Sequence, residues 1–131
     1  MRYLLDTSVF LQGWMVPERL GRRTRELLGS PGEECFLSAV SSWEISIKYA
    51  LGKLDLPEAP SKYVPTRLSE WRIQRLDISH DHALFVGELP QHHQDPFDRM
   101  LVAQAKVENM TIVTADRILE KYPIEIFRAT L

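Results

Sequence analysis

Four acidic residues, Asp6, Glu44, Asp98 and Asp116, are scattered along the chain, yet each stands where an α/β fold would bring it to one edge. Asp6 directly follows the apolar run Arg2-Tyr3-Leu4-Leu5, and Asp116 comes just after the β-branched run Thr111-Ile112-Val113-Thr114. Glu44 and Asp98 fall in the first turns of helical patterns. At about 100° per residue, Asp98 lines up with Leu101, Val102 and Ala105, and Glu44 with Val40, Ile47 and Leu51. A carboxylate aimed along a buried stripe is costly unless it meets a cation or a metal. Taken singly, these acids have ordinary explanations. Ser41-x-x-Glu44 has capping-box spacing, with Lys48 as an i,i+4 partner, and Asp116 can cap a short helix. Taken together on one edge, they form a negative cluster that needs a counter-charge. Hard divalent ions fit it best, because Mg²⁺ and Mn²⁺ take oxygen ligands. Such ions can activate water and stabilise the leaving oxygen of a phosphodiester.

The elements that must position these acids alternate between two periods. Residues 2–5 predict a strand apolar on both faces, suited to a central parallel position. A helix is expected over 17–30, with Val16, Leu20, Leu27 and Leu28 inward and Arg19, Arg22, Arg23 and Glu26 outward. Ser30-Pro31-Gly32 breaks the chain. A strand follows over 35–38, then a helix over 41–51 ending near Gly52, a turn at 56–60 and a helix over 61–71 with Pro65 near its start or breaking it. The alternation at 73–77 predicts a third strand and 79–89 another helix. His80 and His82, two apart on that helix, read as surface or packing residues. His92 and His93 lie in a polar loop without metal-ligand spacing and suit at most a weak RNA or phosphate contact.

The next helix is marked at both ends. Asp95 is a good N-cap, Pro96 fits the first helical position, and Asn109 can close the far end in a left-handed conformation. Asp95 falls on the flank shared with Arg99 and Lys106. A strand over 111–114 and a short helix to Tyr122 follow. The last strand, 124–127, is placed at a sheet edge because Pro123 adjoins it. Strands alternating with helices predict a three-layer α/β/α sandwich around a mainly parallel five-stranded sheet, and ligands of such sheets sit outside the carboxyl ends of the strands.

Bulk properties narrow the function. With 131 residues, 44% of them apolar and 26% charged, the chain is expected to form a single domain over 1–131. A net charge of −2 argues against broad coating of phosphates, so nucleic-acid contact would come from a local basic patch or from bound cations that reverse the local charge. The single cysteine, Cys35, lies in an apolar run and suits a core position and a reducing compartment. No apolar run is long enough to span a bilayer, and Asp6 interrupts the N-terminus too early for a signal peptide, so a cytoplasmic location is expected.

Four segments together resemble the PIN domain of VapC-type toxins. They are Leu5-Asp6-Thr7-Ser8, then Trp43-Glu44-Ile45-Ser46-Ile47-Lys48 with Gly52-Lys53-Leu54, then Asp95-Pro96-Phe97-Asp98-Arg99-Met100-Leu101-Val102-Ala103-Gln104-Ala105, and Thr114-Ala115-Asp116. The resemblance runs from residue 3 to about 127, and its third segment is highly specific. It implies a five-stranded parallel sheet between helices and an Mg²⁺- or Mn²⁺-dependent endoribonuclease acting on structured RNA such as tRNA or rRNA. It also implies a cognate antitoxin protein, usual homodimerisation and toxin–antitoxin hetero-oligomers. Residue by residue, the family acids map to Asp6, Glu44, Asp98 and Asp116 as catalytic groups. Asp6, Asp98 and Asp116 are the metal-holding set, with Thr7 and Thr114 as hydroxyl support. Two rivals stand beside this reading. A phosphotransferase or phosphatase of the haloacid dehalogenase kind would need a second Asp where Ser8 stands; the lack of a Gly-rich phosphate loop separately removes a P-loop enzyme. A non-catalytic RNA- or protein-binding module on the same scaffold would bind metal without turnover.

Overall fold

The structure, a computed structural model, describes residues 1–130. Five strands form one sheet: β1 (Arg2–Leu5), β2 (Glu34–Ser38), β3 (Gln74–Leu76), β4 (Thr111–Thr114) and β5 (Ile126–Arg128). Their order is β3-β2-β1-β4-β5, and every pairing is parallel. The chain therefore builds outward from β1 to β3, then returns to lay β4 on the other side of β1. That reversal opens a crevice beyond the carboxyl ends of β1 and β4. β5 takes the edge, as Pro123 predicts.

Strand periodicity divides the core between the two sheet faces. Tyr3, Leu5, Cys35, Leu37 and Val113 pack on one face with Val9, Phe10, Leu27, Leu28, Tyr63, Val64 and Leu68. Leu4, Phe36 and Ile112 pack on the other with Leu101, Val102, Ala105 and Leu119. This is the expected three-layer sandwich. The first face is covered by α1 (Thr7–Met15), α2 (Arg22–Gly29) and α4 (Pro60–Glu70), the second by α5 (His80–Phe85) and α6 (Pro96–Glu108). Between them, α3 (Ala39–Ala50) supplies Ile45 to the first cluster and Val40 to the second. Cys35 is buried core, and burial, helped by the nearby Glu33 charge, pushes its thiol up to about 11. No helix among the described residues is long and apolar enough to cross a membrane.

Several elements differ from expectation. Helix α1 lies outside the expected set: it carries no charged residue and spans only nine residues, so its periodic signal is weak. The helix expected over 17–30 is split. A 3-10 turn at Pro17–Arg19 is followed by α2 only from Arg22, because the Gly21 N–H leaves the helix to bond Ala129 O at 2.7 Å. Helix α3 starts earlier than expected. Its N-cap is Ser38, whose side chain accepts the Val40 N–H, so Ser41 and Glu44 form no capping box. Leu51, expected inward, is exposed just past the end of α3. Arg99, expected on the flank shared with Asp95 and Lys106 and off the apolar stripe, is buried.

Gly13 shows how closely α1 is packed. An added Cβ would lie 2.5 Å and 2.7 Å from ring atoms of Trp71, and that ring is itself stacked on Trp14 at a centroid distance of 3.8 Å. In an open helix Gly→Ala stabilises by up to about 1 kcal/mol. Here the overlap should win, and Gly13→Ala is expected to destabilise by about 1–3 kcal/mol in urea unfolding. A gain in stability would show that the Trp14–Trp71 pair can shift freely.

Candidate active site

Each acid reaches the crevice on a different element. Asp6 ends β1, and its backbone N–H still bonds Val113 O on β4 at 3.0 Å. The residue is buried, at 8% exposure, and its Oδ2 accepts the Thr114 hydroxyl at 2.7 Å. That hydroxyl in turn accepts the Asp116 N–H at 3.0 Å, which fixes its rotor and ties the two acids across the strand pair. Asp116 caps a 3-10 turn, Arg117–Lys121, by accepting the Ile118 N–H on Oδ1 at 2.9 Å. Glu44 is buried on α3 and pairs with Lys48 Nζ at 2.6 Å. Asp98 lies in the first turn of α6, and Asp95, Pro96 and Asn109 mark that helix as expected: Asp95 accepts from Phe97 and Asp98 N–H, and Asn109 has φ 56°.

Asp6, Glu44, Asp95, Asp98 and Asp116 line one cleft of about 260 Å³, with Lys48 at its wall. The structure thus brings together all four acids singled out in the sequence. Of the two hydroxyls, Thr114 touches an acid directly. Thr7 donates to Ser41 Oγ at 2.8 Å and so ties α1 to α3, the helix that carries Glu44. Asp95 faces the same cleft but spends one oxygen on the helix cap. Asp95→Ala is therefore expected to cost about 1 kcal/mol of stability, read as an earlier melting transition, while much of any activity remains.

Burial and crowding raise the proton affinity of two of these carboxylates, Asp98 and Asp6. Burial pushes Asp98 up to about 7, with the charges of Asp6, Asp95 and Glu44 adding and His93 opposing. Asp6 is also raised, by burial first; Glu44 and Asp116 add to this, and the Thr114 hydrogen bond opposes it. Lys48 is raised too, chiefly by its hydrogen bond to Glu44. A cleft lined by five acids, in which Asp6 and Asp98 resist ionisation, is a site short of positive charge. The donor set is oxygen-rich, without a thiol, and so fits a hard divalent cation such as Mg²⁺ or Mn²⁺.

The acid pattern overlooks His93. Expected to make at most a weak RNA or phosphate contact, it places Nε2 3.1 Å from Asp98 Oδ2 and 3.0 Å from Asp116 Oδ2. These three side chains form a tight group, with ligand-type atoms within 4.8 Å of one another, and Asp6 and Glu44 line the cleft outside it. The available signal was position: a loop that feeds the first turn of α6 must pass the edge where Asp98 stands. His92, its neighbour, instead packs edge-on against Tyr122. His82, expected at the surface or in packing, is buried, with Nε2 2.8 Å from Glu108 on α6.

Arg99, next to Asp98, points the other way. Nη1 donates to Pro90 O at 2.9 Å and to the Tyr122 hydroxyl at 3.3 Å, and Nη2 donates to Val86 O at 3.0 Å. Its charge is spent on the Val86 and Pro90 carbonyls of the segment before α6. This explains its burial and holds the loop that carries His93.

Comparison with known proteins bears on the family and the fold. The PIN domain family model matches residues 3–125. Ribonuclease VapC16 of Mycobacterium tuberculosis is 41% identical over 59 residues, a match covering 45% of this chain and 42% of the relative. Among solved structures, VapBC2 from Rickettsia felis bound to a promoter DNA fragment superposes with a TM-score of 0.73 at 20% identity, over 97% of this chain and 98% of that one. DNA-bound VapBC from Salmonella typhimurium gives 0.67 at 24% identity, over 97% of both chains.

Proposed function

The chain belongs to the PIN domain family, and from that premise we propose that it is a divalent-metal-dependent endoribonuclease, the toxin of a toxin–antitoxin pair, acting in the cytoplasm. The observation that carries this reading is the convergence of Asp6, Glu44, Asp98 and Asp116 from four separate elements on one cleft. The partial similarity to a ribonuclease, and the fold shared with the toxin–antitoxin complexes, support it further. In this reading Asp6, Asp98 and Asp116 hold Mg²⁺ or Mn²⁺. The bound cation would supply the charge that activates water and stabilises the leaving oxygen of a phosphodiester.

The chain's own groups do the rest. Thr114 fixes the Asp6 carboxylate by a single hydrogen bond to Oδ2. Lys48 engages Glu44 Oε2, which leaves Oε1 to accept a hydrogen bond from the attacking water and orient it. Half-exposed Lys48 also offers its charge to a phosphate oxygen at the cleft mouth. Water adds to phosphorus in line with the departing 3′-oxygen, and the P–O3′ bond breaks. A 5′-phosphate and a 3′-hydroxyl remain.

Such a cleft must stay silent until needed, and an arginine from an antitoxin tail would suit it through bidentate carboxylate pairing. Exposed Trp43 on α3, Leu84 on α5 and Val107 on α6 are apolar surface that an antitoxin or a second copy of the chain could cover. The test is direct: structured RNA, tRNA or rRNA, incubated with the purified chain and Mn²⁺, then end-group mapping. Internal cuts that carry 5′-phosphates and stop with EDTA are expected. Cleavage that survives EDTA, or metal binding without turnover, would overturn the reading.

A further inference from the structure

The hydrogen-bond geometry around His93 settles which ring nitrogen carries the proton. Nδ1 accepts the backbone N–H of Asp95 at 3.1 Å, so in the neutral ring the proton sits on Nε2, facing Asp98 and Asp116. The backbone that carries the ring is also held. The His93 backbone N–H donates to the Tyr122 hydroxyl at 2.9 Å, and Arg99 donates to the same hydroxyl. On Asp116, Oδ1 is engaged by the Ile118 N–H and Oδ2 by His93, so both oxygens are oriented.

We propose that His93 is a positioning residue, a donor to the Asp116 carboxylate and not a ligand of the cation. Its Nε2–H donates to Asp116 and lies 3.1 Å from Asp98, which draws the two acids together beside the cleft that Asp6 lines. Ligation through Nε2 would require the proton to move to Nδ1, where it would face the Asp95 N–H and cost that hydrogen bond. The partner that orients a metal-binding carboxylate typically contributes about 10–100-fold to metal affinity.

This proposal rests on the metal reading above, and its test keeps the two apart. Mn²⁺ titration followed by electron paramagnetic resonance counts free ion, and spin-echo modulation on bound Mn²⁺ detects a directly coordinated nitrogen. Wild type should bind Mn²⁺ without a coordinated nitrogen. His93→Ala should bind roughly tenfold more weakly. His93→Gln, which keeps an amide donor, should recover part of the loss. A coordinated-nitrogen signal in wild type would overturn the proposal while leaving the metal reading intact, as would unchanged or tighter binding by His93→Ala. Failure of wild type to bind Mn²⁺ would overturn the metal reading itself.

Discussion

Asp6→Asn is expected to abolish RNA cleavage while leaving the fold as stable as before, or more so. The substitution keeps size and shape, and an Asn oxygen can still accept the Thr114 hydroxyl now bonded to Asp6 at 2.7 Å. What it removes is a buried charge that burial and the neighbouring Glu44 and Asp116 already disfavour. Loss of that charge costs the stabilisation a held cation gives the reaction, several kcal/mol. Each 1.36 kcal/mol is about tenfold in rate, so a fall of roughly a thousandfold or more is expected in single-turnover cleavage. Paired melting curves check the second half of the statement. Full activity in Asp6→Asn would remove Asp6 from the mechanism, and a large fall in melting temperature would make it a structural residue.

Asp98→Asn should separate two effects that meet in one residue. The folded protein holds the Asp98 proton up to about 7, against an ordinary value of 3.8. Between those limits the folded state binds more protons than the unfolded one, so stability must fall as pH rises. In the metal-free protein this contribution is complete below about pH 4 and is lost by about pH 7–8. Asp98→Asn should flatten that slope and melt no earlier than wild type near neutral pH, where it relieves the repulsion of Asp6, Asp95 and Glu44. It should also lose activity and Mn²⁺ affinity. Asp95→Ala should do the reverse, melting earlier while retaining activity. Urea unfolding from about pH 5 to pH 8, with and without Mn²⁺, reads both signatures. If Asp95→Ala proved to be the dead, metal-blind variant, the site would be misplaced on α6.

The sheet and the four acids were legible because each rests on a local signal. β1 and β4 are short apolar runs ending in polar residues, and the Asp95-Pro96 start and Asn109 end of α6 follow from backbone preferences alone. Parallel order then places Asp6, Asp98 and Asp116 on one edge without further information. What escaped the sequence depends on contacts between distant segments. Gly21 stops the helix expected over 17–30 by bonding Ala129, near the other end of the chain. Arg99 reads only as a neighbour of Asp95 and Lys106 on one flank, yet carbonyls of a segment fixed only by the tertiary fold draw it inside. Ser38 displaces Ser41 as the cap of α3, which frees Ser41 for Thr7. His93 belongs to this class: its partners are an acid on the following helix and another beyond β4, and no spacing rule joins them.

The central claim is that these carboxylates together hold the cation on which phosphodiester cleavage depends. Anomalous diffraction from crystals of the protein grown with Mn²⁺ tests it most directly. The expected result is a manganese peak in the cleft between Asp6 and Asp98, with Asp116 beside it, that disappears in Asp6→Asn crystals. A cleft without manganese at saturating Mn²⁺, or a peak bound elsewhere on the surface, would contradict it.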